Sequence, residues 1–240
     1  MSEEILKYRE IAAILRARIK NGVYGTQGRL PTVSQLVAEF HAGRGTVNQA
    51  LLVLQSEGLV SSRNKSYMVG EAPMRITGAP FFESYMQSQG LAPVAKTLLS
   101  AEMVPMPAEV IAHFEDVSED ELFLYRRRLH GTKERMYRLA DLWYPAHLTE
   151  QFLSQVTSHP DVNIVSLIRD VHDMHLQKAS DDIIARLPTT EESKMLQIAR
   201  NVPVLEVWRK CTTAEGLPIM YNKLVLVAAL FHLSYHQYDL

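Results

Sequence analysis

The sequence predicts an α+β protein of two domains, and three observations carry that prediction. Residues 5–69 read as three short helices and a β-hairpin, residues 70–80 break the apolar periodicity with Pro73, Gly78 and Pro80, and a helix-plus-hairpin pattern occurs twice downstream. We therefore expect a small module at 1–70, a connector at 71–80 and a larger domain at 81–240. A chain of 240 residues with 47% hydrophobic content can bury one small and one medium core without cross-links.

The bulk composition narrows the class. Cys211 is the only cysteine, so no intramolecular disulfide framework exists. The first residues carry Glu3, Glu4, Lys7 and Arg9 where a secretory signal needs an apolar run, and Leu224–Leu233 is too short to span a membrane. It suits a buried strand running into a short helix. The expectation is a cytoplasmic protein with no membrane partner. The net charge of -2 hides an asymmetry: residues 1–70 hold nine Lys/Arg against five Asp/Glu, and the rest holds sixteen against twenty-two. A basic terminal module is a footprint of phosphate-backbone binding, since neutralised phosphates release condensed counterions.

In the first module, Tyr8, Ile11, Ala12, Leu15 and Ile19 form one apolar stripe of a helix over about 5–20, with Gly22 placed as its C-cap. Pro31 forbids helix at Leu30, and Thr32 caps a two-turn helix that turns Val33, Leu36, Val37 and Phe40 inward. After His41-Ala42-Gly43 a third helix begins near Arg44, with Val47, Ala50, Leu51 and Leu54 inside and Arg44, Asn48 and Gln49 outside. Arginine can fork onto guanine and the amides can pair with adenine from a helix laid in the major groove. Thr46 is placed to hold a phosphate. Leu59–Val69 reads as two strands around a basic tip, a wing that would meet phosphate or minor groove. The candidate DNA contacts are Tyr8, Thr32, Ser34, Arg44, Thr46, Asn48, Gln49, Arg63 and Lys65.

These residues resemble the GntR-type regulators, whose N-terminal module is a winged helix-turn-helix. Leu30-Pro31 is similar to the family's Leu-Pro before helix 2. Arg44 and Thr46 fall on its Ser-Arg-x-Thr-Val segment, and Ala50-Leu51, Leu54 and Glu57-Gly58-Leu59-Val60 match the family's pattern through the rest of helix 3 and into the wing. Three positions depart from it. Val33-Ser34 replace Glu-Arg, which removes one expected arginine contact; Gly43 replaces serine; and the wing lacks Gly-x-Gly, leaving Asn64 to make its turn.

In the larger domain, helices are expected at 82–89, 107–114, 149–156, 163–171 and 190–200, with strands between them. Pro107, a helix, strand Leu122–Leu129 and strand Met136–Tyr144 recur about eighty residues later as Pro188, a helix, strand Val204–Cys211 and strand Pro218–Val227. Two such units join into one mostly antiparallel sheet with helices on one side. Arg126, Arg128 and His130 alternate along one strand and so project from one face. They either grip a carboxylate or phosphate or form an exposed cross-strand ladder.

Behind the GntR-type module this plan resembles the effector domain of the HutC subgroup, the UTRA domain, similar in fold to chorismate lyase. The resemblance rests on Gln89-Gly90-Leu91, the arginine-rich strand, Trp143-Tyr144-Pro145 and Glu215–Ile219. It implies a small anionic metabolite bound between sheet and helices, and dimers formed through this domain. The candidate effector contacts are Phe82, Arg126, Arg128, His130, Asn163 and Tyr221, with Asn163 capping a helix whose N-terminus faces the anion. Ala140 replaces the usual ligand-contacting glutamate, which argues against an amino-sugar phosphate.

The remaining signals are weaker. His172 with His175 and His232 with His236 have metal-like spacing but lack further ligands, so no metal is expected. Cys211 reads as buried and inert, and no glycine-rich phosphate loop, nucleophile elbow or paired carboxylates appear. No catalytic residue and no cofactor are assigned. The sequence thus points to a DNA-binding repressor, not an enzyme, that binds a palindromic operator as a homodimer under control of a small anion. The competing reading is a chorismate-lyase-like enzyme tethered to DNA.

Overall fold

Helix α1 (Ser2–Lys20) ends because Gly22 takes a left-handed φ of 72°, which lets the Asn21 and Val23 amides bond back to Ala17 and Arg18. The computed structural model describes residues 2–25, 28–63, 66–70, 74–77, 95–131, 136–159 and 161–234. Helix α2 (Val33–Phe40) opens on the expected cap: the Thr32 hydroxyl accepts from the Gln35 amide while the Gln35 side chain accepts from the Thr32 amide. His41, at φ 46°, turns the chain into α3 (Arg44–Ser56). Leu15, Leu36, Val47, Ala50, Leu51 and Leu54 form the sealed centre of this module. Strands β1 (Val60–Arg63) and β2 (Ser66–Val69) make the wing hairpin, and Arg29 bridges to Met68 as a short third strand.

Beyond the wing, β3 (Met74–Thr77) lies inside the segment expected to be a connector. It is extended, as that composition predicts, but it pairs in parallel with β10 (Phe231–Ser234) at the far end of the chain. The connector is thus partly a strand. Gly58, the positive-φ residue that closes α3, packs against the helical turn just before β10. A Cβ at Gly58 would lie 2.2 Å from the Ala229 Cβ.

The larger domain is built on a six-stranded antiparallel sheet in the order β4-β5-β6-β9-β8-β7, as the α+β reading requires. Its members are β4 (Ala95–Pro105), β5 (Leu122–Gly131), β6 (Met136–Pro145), β7 (Lys178–Arg186), β8 (Val204–Thr212) and β9 (Pro218–Val227). The repeat is larger than the one legible in the sequence. Each half is strand, short helix and hairpin: β4, α4 (Ala108–Ile111), β5 and β6, then β7, α8 (Thr190–Met195), β8 and β9. The halves meet at the β6–β9 pair. Leu224–Leu233 runs as expected from buried strand through a 3-10 turn (Ala228–Leu230) into β10.

Helices cover both faces, not one. On one face α5 (Ala146–Thr149), α6 (Leu153–Ser158) and α7 (Ile164–His172) bury Leu124, Tyr144, Phe152, Val156, Ile164 and Ile168. On the other face α4 and its following turn pack Val110 and Phe114 on Phe123, Trp143, Trp208 and Tyr221. The helices expected at 107–114 and 190–200 are each shorter than the periodicity suggested. α8 stops at Met195 because Gln197 adopts φ 55° and the Ile198 amide bonds back to Ser193. The helix expected at 82–89 lies outside the described residues.

Candidate functional site

The recognition surface is α3. Val47, Ala50, Leu51 and Leu54 are sealed inside, which leaves Arg44 and Gln49 exposed and Asn48 half-buried on the outer side of its first two turns. With glycine as N-cap, no side chain caps the first turn, so its orphan amides stay open to a phosphate. Thr46 is 9% exposed and shares the inward side with Val47, because a residue two positions after Arg44 has rotated away from the Arg44 face. Thr32 and Ser34 are exposed at the start of α2, and the Thr32 side chain is engaged in the capping box. Tyr8 is half-buried, its hydroxyl accepting from Arg9 Nε at 3.3 Å. Arg63 ends β1 at the wing tip, and Lys65 lies outside the described residues. The helices are braced around this surface: Arg16 on α1 makes a two-pronged bond to Glu57 beyond α3, and Lys7 Nζ donates to the His41 carbonyl.

The second site is on β5. Arg126, Arg128 and His130 point to the face covered by α5–α7, at 3%, 3% and 1% exposure. That burial rules out the exposed charge ladder. A buried guanidinium costs several kcal/mol unless its charge and donors are satisfied. Arg126 Nη1 donates to the Val162 carbonyl at 2.9 Å, and its guanidinium carbon lies 5.9 Å from the Tyr144 ring centre, a cation–π contact. The Arg126 Nε is buried without a hydrogen-bond acceptor among the described residues. Arg128 Nη2 reaches the carboxylate of Asp161 at 3.5 Å, and Asp161 is 81% exposed. Arg138 Nε donates to His130 Nδ1 at 3.0 Å, which leaves the proton of a neutral imidazole on Nε2.

The loop 161–163 therefore lies over the arginines, and it leads straight into α7. Asn163 caps α7 as expected, its side chain accepting from the Ser166 amide at 3.3 Å. Across the sheet Arg128 faces Ala140 and then Leu224, and Arg126 faces Leu142. The cross-strand neighbours of the two cations are thus apolar. Asp161 and the Val162 carbonyl were not foreseen from sequence, since nothing local marks a loop that sits over a distant strand. Tyr144 had a signal: it shares the inward pleat of a strand hairpinned to β5.

Two expected contacts do not join this cluster. Tyr221 pairs with Trp143 across the β6–β9 register and lies on the opposite face of the sheet, where its hydroxyl donates to Asp116 at 2.9 Å. Burial, then the bond to Asp116, pushes the phenol far above its ordinary range. Phe82 lies outside the described residues. Cys211 is buried beneath the helices, and desolvation pushes its thiol up to about 12, which keeps it protonated and inert. His172 Nε2 contacts the Leu148 carbonyl at 3.1 Å, and His175 pairs with Asp173. Among the described residues no group of three or more potential metal ligands occurs, and no helix is long and apolar enough to cross a membrane.

Comparison with known proteins agrees with both halves. Residues 7–67 match the profile of bacterial regulatory proteins of the gntR family, and residues 88–232 match the UTRA domain. An HTH-type transcriptional regulator of Rhizobium meliloti is 28% identical over 221 residues, covering 90% of this chain and 88% of the relative. The mannosyl-D-glycerate transport/metabolism system repressor MngR of Escherichia coli is 25% identical, covering 90% of this chain and 89% of its own length. The crystal structure of PhnF from Mycobacterium smegmatis shares the fold, with a TM-score of 0.61 at 18% identity over 96% of this chain and 100% of that one. With a winged helix-turn-helix in one domain and a buried cationic strand in the other, the chain belongs to the GntR family of bacterial transcriptional regulators, carrying a UTRA effector domain of the HutC type.

Proposed function

We propose that the protein is a homodimeric repressor whose operator is a palindrome and whose DNA affinity is set by a small anionic metabolite held over Arg126 and Arg128. The observation that carries the effector half is the burial of two guanidiniums on one strand, in surroundings that are mostly apolar, beneath the loop that opens α7. An anion there would neutralise Arg126 and accept from its Nε. His130 Nε2 and the α7 end add polar donors around the same strand. The glutamate position occupied by Ala140 beside Arg128 offers no acceptor for an amino group, which favours a sugar acid or phosphate without one. The relative MngR is named as a repressor, and NagR of Bacillus subtilis, 24% identical over 91% of this chain, likewise.

On the DNA side, Arg44, Asn48 and Gln49 read bases from the major groove, and Thr32, Ser34, Tyr8 and the wing residues Arg63 and Lys65 hold the backbone. A ligand controls this only through unequal affinity for two dimer geometries.

Footprinting upstream of the protein's own gene tests the first half: two half-sites about one helical turn apart are expected. Arg44→Ala should cost roughly 1–3 kcal/mol and relax preference at one base position, whereas uniform weakening would assign Arg44 to phosphate only. For the second half, thermal-shift measurements with inorganic phosphate, gluconate and glucose 6-phosphate should raise Tm in the native chain and not in Arg126→Met. At a hundred times its dissociation constant a ligand adds about 2.7 kcal/mol. Equal shifts in both proteins would overturn the assignment of Arg126.

A further inference from the structure

Asn222 lies in the middle of β9 at 2% exposure, and half of its amide has no partner. Its Nδ2 donates to the Cys211 sulfur at 3.8 Å, a weak acceptor, while Oδ1 is buried without a donor among the described residues. The cation beside it is engaged elsewhere: Arg209, its cross-strand neighbour on β8, gives Nε and Nη2 to Asp181 on β7. A sealed amide oxygen left unpaired costs free energy, so its presence asks for a partner.

The register says what that partner also touches. Arg126, Leu142 and Asn222 stand side by side on β5, β6 and β9, on the face covered by α5–α7. Arg126 Nε is an unpaired donor and Asn222 Oδ1 an unpaired acceptor, with the apolar Leu142 between them. Strands about 4.8 Å apart put the two outer Cα atoms about 10 Å from each other, and side chains standing off the sheet keep roughly that spacing. Two hydrogen bonds of about 2.9 Å each leave roughly 4 Å, the length of a short carbon chain laid over Leu142. A molecule that serves both ends carries an anionic oxygen at Arg126 and a hydroxyl at Asn222. Because a hydroxyl both donates and accepts, it suits either end of the amide.

We infer that Asn222 is a specificity-determining residue of the effector site, its amide binding a hydroxyl of the anion held at Arg126, so that the ligand is a short hydroxylated acid or phosphate ester and not a plain anion. This rests on the anion reading of Arg126 and adds the end of the ligand away from the charge. An analogue lacking the hydroxyl leaves the amide oxygen buried and unpaired, and is rejected for that reason.

The test uses the full chain and two probes. Inorganic phosphate is too small to span from Arg126 to Asn222 and reads the arginine alone, whereas gluconate reads both. Asn222→Val and Asn222→Thr are matched in shape on a strand and differ by one hydroxyl. In thermal-shift titrations the gluconate concentration for a half-maximal shift should rise about 10-fold in Asn222→Val, and less in Asn222→Thr, while the phosphate response stays the same in all three proteins. A second readout needs no variant: the native chain should bind 4-hydroxybutyrate about 10-fold more tightly than pentanoate, its equal in size. If Asn222→Val answers gluconate as the native chain does, or if 4-hydroxybutyrate and pentanoate bind alike, the amide serves a buried water and the inference fails while the anion site stands. Equal loss of the phosphate and gluconate responses in Asn222→Val also overturns it, since the amide would then support the arginine or the fold. A native chain that answers none of these anions overturns the anion site itself, and this inference with it.

Discussion

The two halves of the sheet domain share one plan and treat an inward-facing arginine in opposite ways. One row of cross-strand partners runs Ala101, Arg126, Leu142, Asn222, Arg209 and Asp181. In the second half Arg209 meets its own carboxylate: Asp181 accepts from Nε and Nη2 at 2.6 and 2.7 Å, in the forked geometry that suits guanidinium best. In the first half Arg126 meets a carbonyl and an aromatic face. The second half is electrostatically closed. The first keeps a cation that the proposed anion would complement, and on that proposal a duplicated unit holds the structure with one copy and senses with the other.

The comparison can be broken most easily at Arg209. Arg209→Ala removes the forked partner of Asp181, whose side chain is 5% exposed, and should cost roughly 3–5 kcal/mol in urea unfolding. The cap of the same half is a smaller support. Thr189→Ala removes the hydroxyl that accepts from Glu192 N at the start of α8, and about 1 kcal/mol should go with it. Arg126→Met should act in the other direction. Replacing an incompletely neutralised buried cation with a similar apolar volume should be neutral or stabilising, by up to about 1 kcal/mol, while abolishing the response to anions. A loss as large as that of Arg209→Ala would mean that both halves are closed.

Acidity should separate the halves by sign. In the second half, burial pushes Glu192 and Glu206 up, but their bonds to Arg186 outweigh it and hold both below the ordinary 4.5. Their stabilisation is present above that value and is lost as pH falls through the lowered folded values. In the first half, burial holds Asp141 above the ordinary 3.8, despite the Tyr125 hydroxyl and Arg127. Its ionisation opposes folding at neutral pH, and the cost is relieved as pH falls through the raised value. Glu206→Gln should therefore flatten the acid limb of a stability profile. Asp141→Asn should change stability chiefly above pH 3.8. Urea midpoints measured from neutral pH down into the carboxylate range check both signs.

The same contrast explains what could be read beforehand. The starts of helices α2 and α3 were legible because Thr32, Pro31 and the 3.6-residue apolar spacing all agree. The inner hairpins were legible because buried strands alternate strongly. β7 was not singled out: an edge strand with Asp181-Asp182 and two exposed isoleucines shows no in-out alternation. Arg126 and Arg128 were found by their alternation, but Tyr221 was put with them although it lies behind the sheet. Which residue of β9 faces which of β6 depends on the meeting of two hairpins distant in sequence, and no local pattern encodes it.

The pairing of β3 with β10 has a mechanical consequence. With Met74 fixed in that ribbon, four peptide units of chain separate it from Gly70, so the two lie no more than about 14 Å apart. At so short a separation the head's local concentration at its seat by Ala229 is in the millimolar range or above. The head cannot drift away from the sensor. Whatever moves the sensor can only change the angle at which the head is presented, and in a symmetric pair two angles are enough to set the distance between the helices that read the DNA.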